Sequence, residues 1–75
     1  MNEGMLWYVN DANEGLEDMV GKAVAFFRKK YGCAPLTCYL HPESLPSEFL
    51  SKDDVRVMPH AMVIKNHIWL EFPGK

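Results

Sequence analysis

Seventy-five residues, 48% hydrophobic and 24% charged, suffice for one packed domain and leave no room for a second. A formal net charge of −2 gives no electrostatic case for nucleic acid, and the longest apolar run near the middle, residues 23–27, is far too short to span a bilayer. Two cysteines are too few for a disulfide framework, and the opening MNEGMLWYVND is acidic where a secretory leader is basic, so the expectation is a cytoplasmic protein with free thiols.

The first structured stretch is MLWYV, residues 5–9, rich in β-favouring side chains and read as a strand. Turn chemistry over residues 10–13 leads into residues 11–32, the segment with a sustained helical period. Leu16, Val20, Ala23, Val24, Phe27 and Tyr31 recur at three- and four-residue steps, and Met19 and Phe26 widen the stripe. Asp11 followed by Glu14 has capping-box spacing, with Asn13 as the rival N-cap. Acids crowd the first turns and Arg28, Lys29 and Lys30 the last, matching the helix dipole. Gly32 suits a left-handed C′ position and Pro35 forbids continuation. Gly21 costs the helix roughly 1 kcal/mol relative to Ala, and close approach to a strand is the reading that explains it.

LTCYL, residues 36–40, alternates: Leu36, Cys38 and Leu40 toward the core, Thr37 and Tyr39 away. With the first strand and the helix it forms a βαβ unit, so the two strands should be parallel with a right-handed crossover. Residues 41–54 carry Pro42 and Pro46 and are read as a single helical turn over 45–50, anchored by Leu45, Phe49 and Leu50. Residues 55–58 make a short strand with Val55 and Val57 inward, which Pro59 ends or confines to an edge. The last segment reads as a hairpin of residues 61–64 and 67–72 around Lys65-Asn66, Asn tolerating the positive φ of a tight turn. The fold class is therefore α+β: one main helix on one face of a mixed four- to five-stranded sheet, in the order β-α-β-short helix-β-β-β.

Cys33, Cys38 and His41, with His60 and His67 farther on, form the one set resembling a metal site. Zinc takes thiolates and imidazoles from paired, closely spaced ligands, and C-x4-C-x2-H has no second compact pair. An odd spacing also sets Cys38 and His41 on opposite strand faces. The reading is a core thiol and surface histidines, with no metal and no cofactor. Nucleophilic catalysis could draw on Cys33, His41, Glu43 and Asp54, but no nucleophile elbow, phosphate loop or paired metal carboxylates accompany them. An enzyme is disfavoured and would be a small oligomeric one.

Lys22, Arg28, Lys29 and Lys30 are read as a solvated helix end, with a nucleic-acid-binding module as the alternative if sheet aromatics stack bases. A single helix leaves one sheet face open. By parity Tyr39, Trp69, Thr37, Arg56 and Glu71 point to that side, joined by Trp7 or Tyr8. Aromatics and Arg are enriched at protein interfaces. The expected function is a small protein-interaction or accessory module, self-associating as a homodimer through Tyr39, Arg56, Trp69 and Glu71 with Trp69 central. Stacked faces are favoured over paired edges because Pro59 blunts one edge. The competing expectation is that these aromatics are covered by one another and by residues 41–54.

Overall fold

A computed structural model describes residues 3–9, 15–45, 47–52 and 54–73. Strand β1 (Gly4–Tyr8) precedes helix α1 (Leu16–Tyr31), then come β2 (Thr37–Leu40), β3 (Phe49–Leu50), β4 (Arg56–Pro59) and β5 (His67–Glu71). The strands form one mixed sheet in the order β1-β5-β2-β4-β3. Among the described residues β2 and β4 are parallel neighbours, and β1–β5, β5–β2 and β4–β3 are antiparallel. One helix on a mixed five-stranded sheet is the α+β class that the sequence implies. Strands β1 and β2 do run the same way, but β5 is inserted between them, antiparallel to both, so the βαβ unit is split.

Helix α1 buries Val20, Ala23, Val24 and Phe27 against Cys38, Leu40, Val57, Ile68 and Leu70. Leu45 and Val55 complete the fully buried set, and Met5, Trp7, Val9, Leu16, Met19, Ala34, Phe49 and Phe72 pack around it. The Phe27 ring lies 4.7 Å from Tyr31 and 5.6 Å from Phe72, so aromatic contacts seal the C-terminal end of this layer. The helix starts at Leu16, later than expected. Gly15 is its N-cap in an extended conformation (φ −64°, ψ 152°) with no side-chain cap, and its carbonyl accepts the Met19 N–H at 2.9 Å. The expected caps Asp11 and Asn13 lie outside the described residues. At the other end Gly32 is left-handed (φ 78°) and donates its N–H to the Arg28 carbonyl at 2.7 Å.

Four local expectations are corrected. Leu36 is 51% exposed, because β2 begins one residue later; Thr37 does face away from the core but is buried on that outer face. Leu36 uses its N–H to tie the approach to the Glu71 carbonyl (2.8 Å). Gly21 approaches no strand: a Cβ there would meet nothing within 4 Å. It borders an open hollow of about 540 Å3 between α1 and the Ser51–Lys52 corner.

The described residues of 45–50 are not helical; Phe49 and Leu50 pair with Val57 and Arg56. This β3–β4 hairpin is closed by the Val55 N–H donating to Ser51 Oγ (3.1 Å) and the Asp54 N–H donating to the Ser51 carbonyl (3.0 Å), with Asp54 at φ 62°. Turn chemistry and β-favouring Phe49 outweigh the proline signal, and Pro46 itself lies outside the described residues. Finally, residues 61–64 are not a strand. The slot beside β4 is filled by β2, in register Thr37↔Arg56 to Leu40↔Pro59. The chain after β4 must therefore step past β2 to reach β5. Pro59 is thus the last residue of an interior strand, not part of an edge.

Candidate interaction surface

The pairing registers fix which side chains share the sheet face turned away from α1. Leu6 stands opposite Trp69, Trp69 opposite Tyr39, and Tyr39 opposite Met58, a row across four strands. Tyr8 and His67 flank it on one side, their rings 5.2 Å apart, and Gly4, Glu71, Thr37 and Arg56 on the other. Tyr39, Arg56, Trp69 and Glu71 accordingly share one face, as parity predicts, and the outward aromatic of β1 is Tyr8, since Trp7 packs at 5.0 Å on Phe26 of the helix.

That face is not open at its centre. Glu71 is only 4% exposed, and its Oε1 accepts the Tyr39 hydroxyl at 3.3 Å. Burial, then the charge of Glu71 and this hydrogen bond, raise the Tyr39 pKa, with a smaller opposing contribution from Thr37. Trp69 is half-buried. Its indole lies over Gly4, where a Cβ would sit 2.9 Å from Nε1 and Cε2 and overlap the Leu70 carbonyl oxygen. Trp69 Nε1 is buried with no hydrogen-bond partner among the described residues. Arg56 is exposed at the far side and pairs with Glu48 (Nε to Oε2, 3.7 Å). Trp69 is therefore not the exposed centre of a patch, and Glu71 is not a surface acid.

The covering element is the β4–β5 connection, residues 60–66, rather than residues 41–54. Its path is set by main-chain bonds: His60 N–H to the Leu40 carbonyl (2.8 Å) and Val63 N–H to the His60 carbonyl (3.1 Å). Side chains add more. His60 Nδ1 accepts the Met62 N–H (3.1 Å), His67 Nδ1–H donates to the Lys65 carbonyl (2.9 Å), and Lys65 Nζ meets Glu43 Oε1 at 2.9 Å. Lys65 draws the Glu43 pKa down. The His60 ring stands edge-on to Tyr39 at 5.5 Å.

Val63 is thereby buried outside the main core, in a second apolar group with Leu6 and Trp69. A depression of about 220 Å3 is lined by Leu6, Met62, Val63, Ile64 and Trp69. Met62 is 80% exposed, Ile64 62% and Leu6 46%, so the rim of this group is apolar and wet. Leu6, Met62, Val63 and Ile64 were not among the sequence candidates. AMVI is an unbroken apolar run, which periodicity alone reads equally well as a buried strand, so no local signal marked it as a segment lying over the sheet.

The remaining candidates are placed elsewhere. Lys22, Arg28, Lys29 and Lys30 are exposed on α1, on the opposite side of the sheet from Tyr39 and Trp69. Lys30 Nζ lies 5.4 Å from the Tyr31 ring centroid and 6.0 Å from that of Phe26, within cation–π reach. Cys33 is exposed past the helix, whereas Cys38 is buried under it, and burial pushes the Cys38 thiol up to about 12. Among the described residues no three His, Cys, Asp or Glu side chains converge as a metal site, so Cys33, Cys38 and His41 are not brought together. No described helix is long and apolar enough to cross a membrane. Compared with protein-family models, curated proteins and solved structures, the chain has no significant match in any of the three.

Proposed function

We propose that this chain is a small protein-interaction module that self-associates, using the apolar rim formed by Leu6, Met62 and Ile64 around Trp69. The carrying observation is the exposure of these three large side chains on one depression of the sheet's outer face. Single exposed apolar residues are ordinary, but several lining one concavity mark a site that gains from being covered. A second copy is the occupant because a domain of this size buries a smaller share of its surface than a larger one does, and a like partner adds burial without any further component. The surface differs from the one parity alone suggests: Tyr39 and Glu71 support it from beneath, and Arg56 lies outside it. A cytoplasmic setting, with both thiols free, belongs to the same reading.

Sedimentation of the wild type and of the Met62→Glu/Ile64→Glu variant tests it. Both positions are too exposed to matter to the core, so the variant should keep its fold by circular dichroism. The wild type should be dimeric at tens to hundreds of micromolar and the variant monomeric. A wild type that remains monomeric throughout that range overturns the proposal.

A further inference from the structure

Strand β1 is an edge of the sheet, paired on one side by β5 alone. In an antiparallel pair, directly opposed residues alternately exchange both main-chain bonds or none. The Val9 N–H donates to the Asn66 carbonyl, and the Phe72 N–H donates to the Glu3 carbonyl, both at 2.8 Å. The odd-numbered residues of this strand are thus the ones bonded to β5. The N–H and C=O groups of Gly4, Leu6 and Tyr8 point the other way, off the edge, and no backbone bond among the described residues occupies them.

Edges of this kind are normally blunted by charge, proline, a bulge or brevity. The other edge of the sheet, β3, is two residues long. Strand β1 has five residues, GMLWY, with no charged side chain and no proline, and its register with β5 runs unbroken from Gly4↔Glu71 to Tyr8↔His67. Its outward side chains, Leu6 and Tyr8 (60% exposed), are also its most exposed ones.

We infer that β1 pairs antiparallel with β1 of a second copy about a two-fold axis at Leu6, joining two five-stranded sheets into one. The inference rests on the self-association proposed above and specifies its geometry. A mate on this edge must oppose even-numbered residues to even-numbered ones. The register that uses all three sets Leu6 opposite Leu6 and Gly4 opposite Tyr8 in both senses, each pair exchanging two N–H···O=C bonds. It is self-complementary, as a closed two-fold interface requires. It also fits the side chains. Tyr8 comes to lie across from Gly4, which has no side chain to oppose it and carries its own Trp69 indole on that face. The two Leu6 side chains meet across the axis on the outer face, and the two Met62–Ile64 rims beside them pack on one another there, each covering the other.

Amide exchange reads the bond pattern directly, and a Leu6→Cys cross-link, made on a Cys33→Ser background, reads the register. With about four-fifths of chains paired, the Leu6 and Tyr8 amides should exchange about fivefold more slowly than in the dilute monomer, since exchange proceeds only through the free fifth. Met5 and Trp7, bonded within the sheet, should change little. The Leu6→Cys chain should form an intermolecular disulfide through its new thiol, because the opposed Cα atoms of a bonded pair lie near 5.5 Å, inside the range a disulfide spans. A dimer whose Leu6 and Tyr8 amides exchange at the monomer rate overturns the edge geometry while leaving self-association standing. A chain that stays monomeric at hundreds of micromolar overturns both.

Discussion

Two residues on β2 show how one strand separates packing from surface chemistry. Cys38 faces the helix and is fully buried, and desolvation alone lifts its pKa from 9.0 to about 12. The folded state therefore holds this proton more tightly than the unfolded chain. The associated stability is complete below pH 9 and is lost as pH rises toward 12, at about 1.4 kcal/mol per pH unit while only the unfolded chain is ionised. Urea titrations of the wild type and Cys38→Val across this range should show the wild type losing ground to the variant above pH 9, because other groups titrate equally in both. Iodoacetamide should modify Cys33 in the native protein and reach Cys38 only after unfolding. Tyr39, one residue on, faces the other way and holds Glu71 by its hydroxyl. A side chain expected as open contact surface is instead part of what supports the surface.

Helix α1 was the most legible element because its period, its charge order and Gly32 all speak locally. Its two glycines now make opposite predictions. Gly21 lies in the helix interior with free space around its Cα, so Gly21→Ala should stabilise by about 1 kcal/mol, through propensity and lost unfolded-state freedom. Gly32 has equal space but φ 78°, so Gly32→Ala should destabilise by about 1 kcal/mol. Denaturant midpoints of the two variants, moving in opposite directions, check both. The sheet was less legible. Alternation placed Val55, Val57, Ile68 and Leu70 correctly on the core face, since a period of two survives any strand order. Strand order itself is a long-range matter: nothing in residues 61–66 announces that β2 fills the slot beside β4 and turns an expected hairpin into a crossover. The covered centre and exposed rim of the candidate surface both follow from that crossover, because it is what lies over Trp69.

At the scale of the molecule, one side of the sheet is finished and the other is not. The helix side closes over Phe27, Leu40, Ile68 and Leu70, whereas the outer side carries a small group around Val63 whose rim is exposed, next to an edge strand whose outward main-chain groups have no backbone partner among the described residues. If a second copy completes that side, folding and association are linked, and stability must depend on chain concentration. Once pairing is complete, each tenfold rise in concentration adds about 0.7 kcal/mol per chain, half the free energy of a tenfold change in equilibrium constant because two chains share it. For a domain of this size that is a rise in melting temperature of about 3–6 °C per tenfold. Calorimetric scans at rising concentrations should show this slope in the wild type and a flat line in Met62→Glu/Ile64→Glu. Both variant and wild type should meet at the dilute limit, since neither substitution touches the helix-side core. A concentration-independent wild-type transition at hundreds of micromolar places the two-fold partner out of the picture and makes the exposed rim a surface for a different protein.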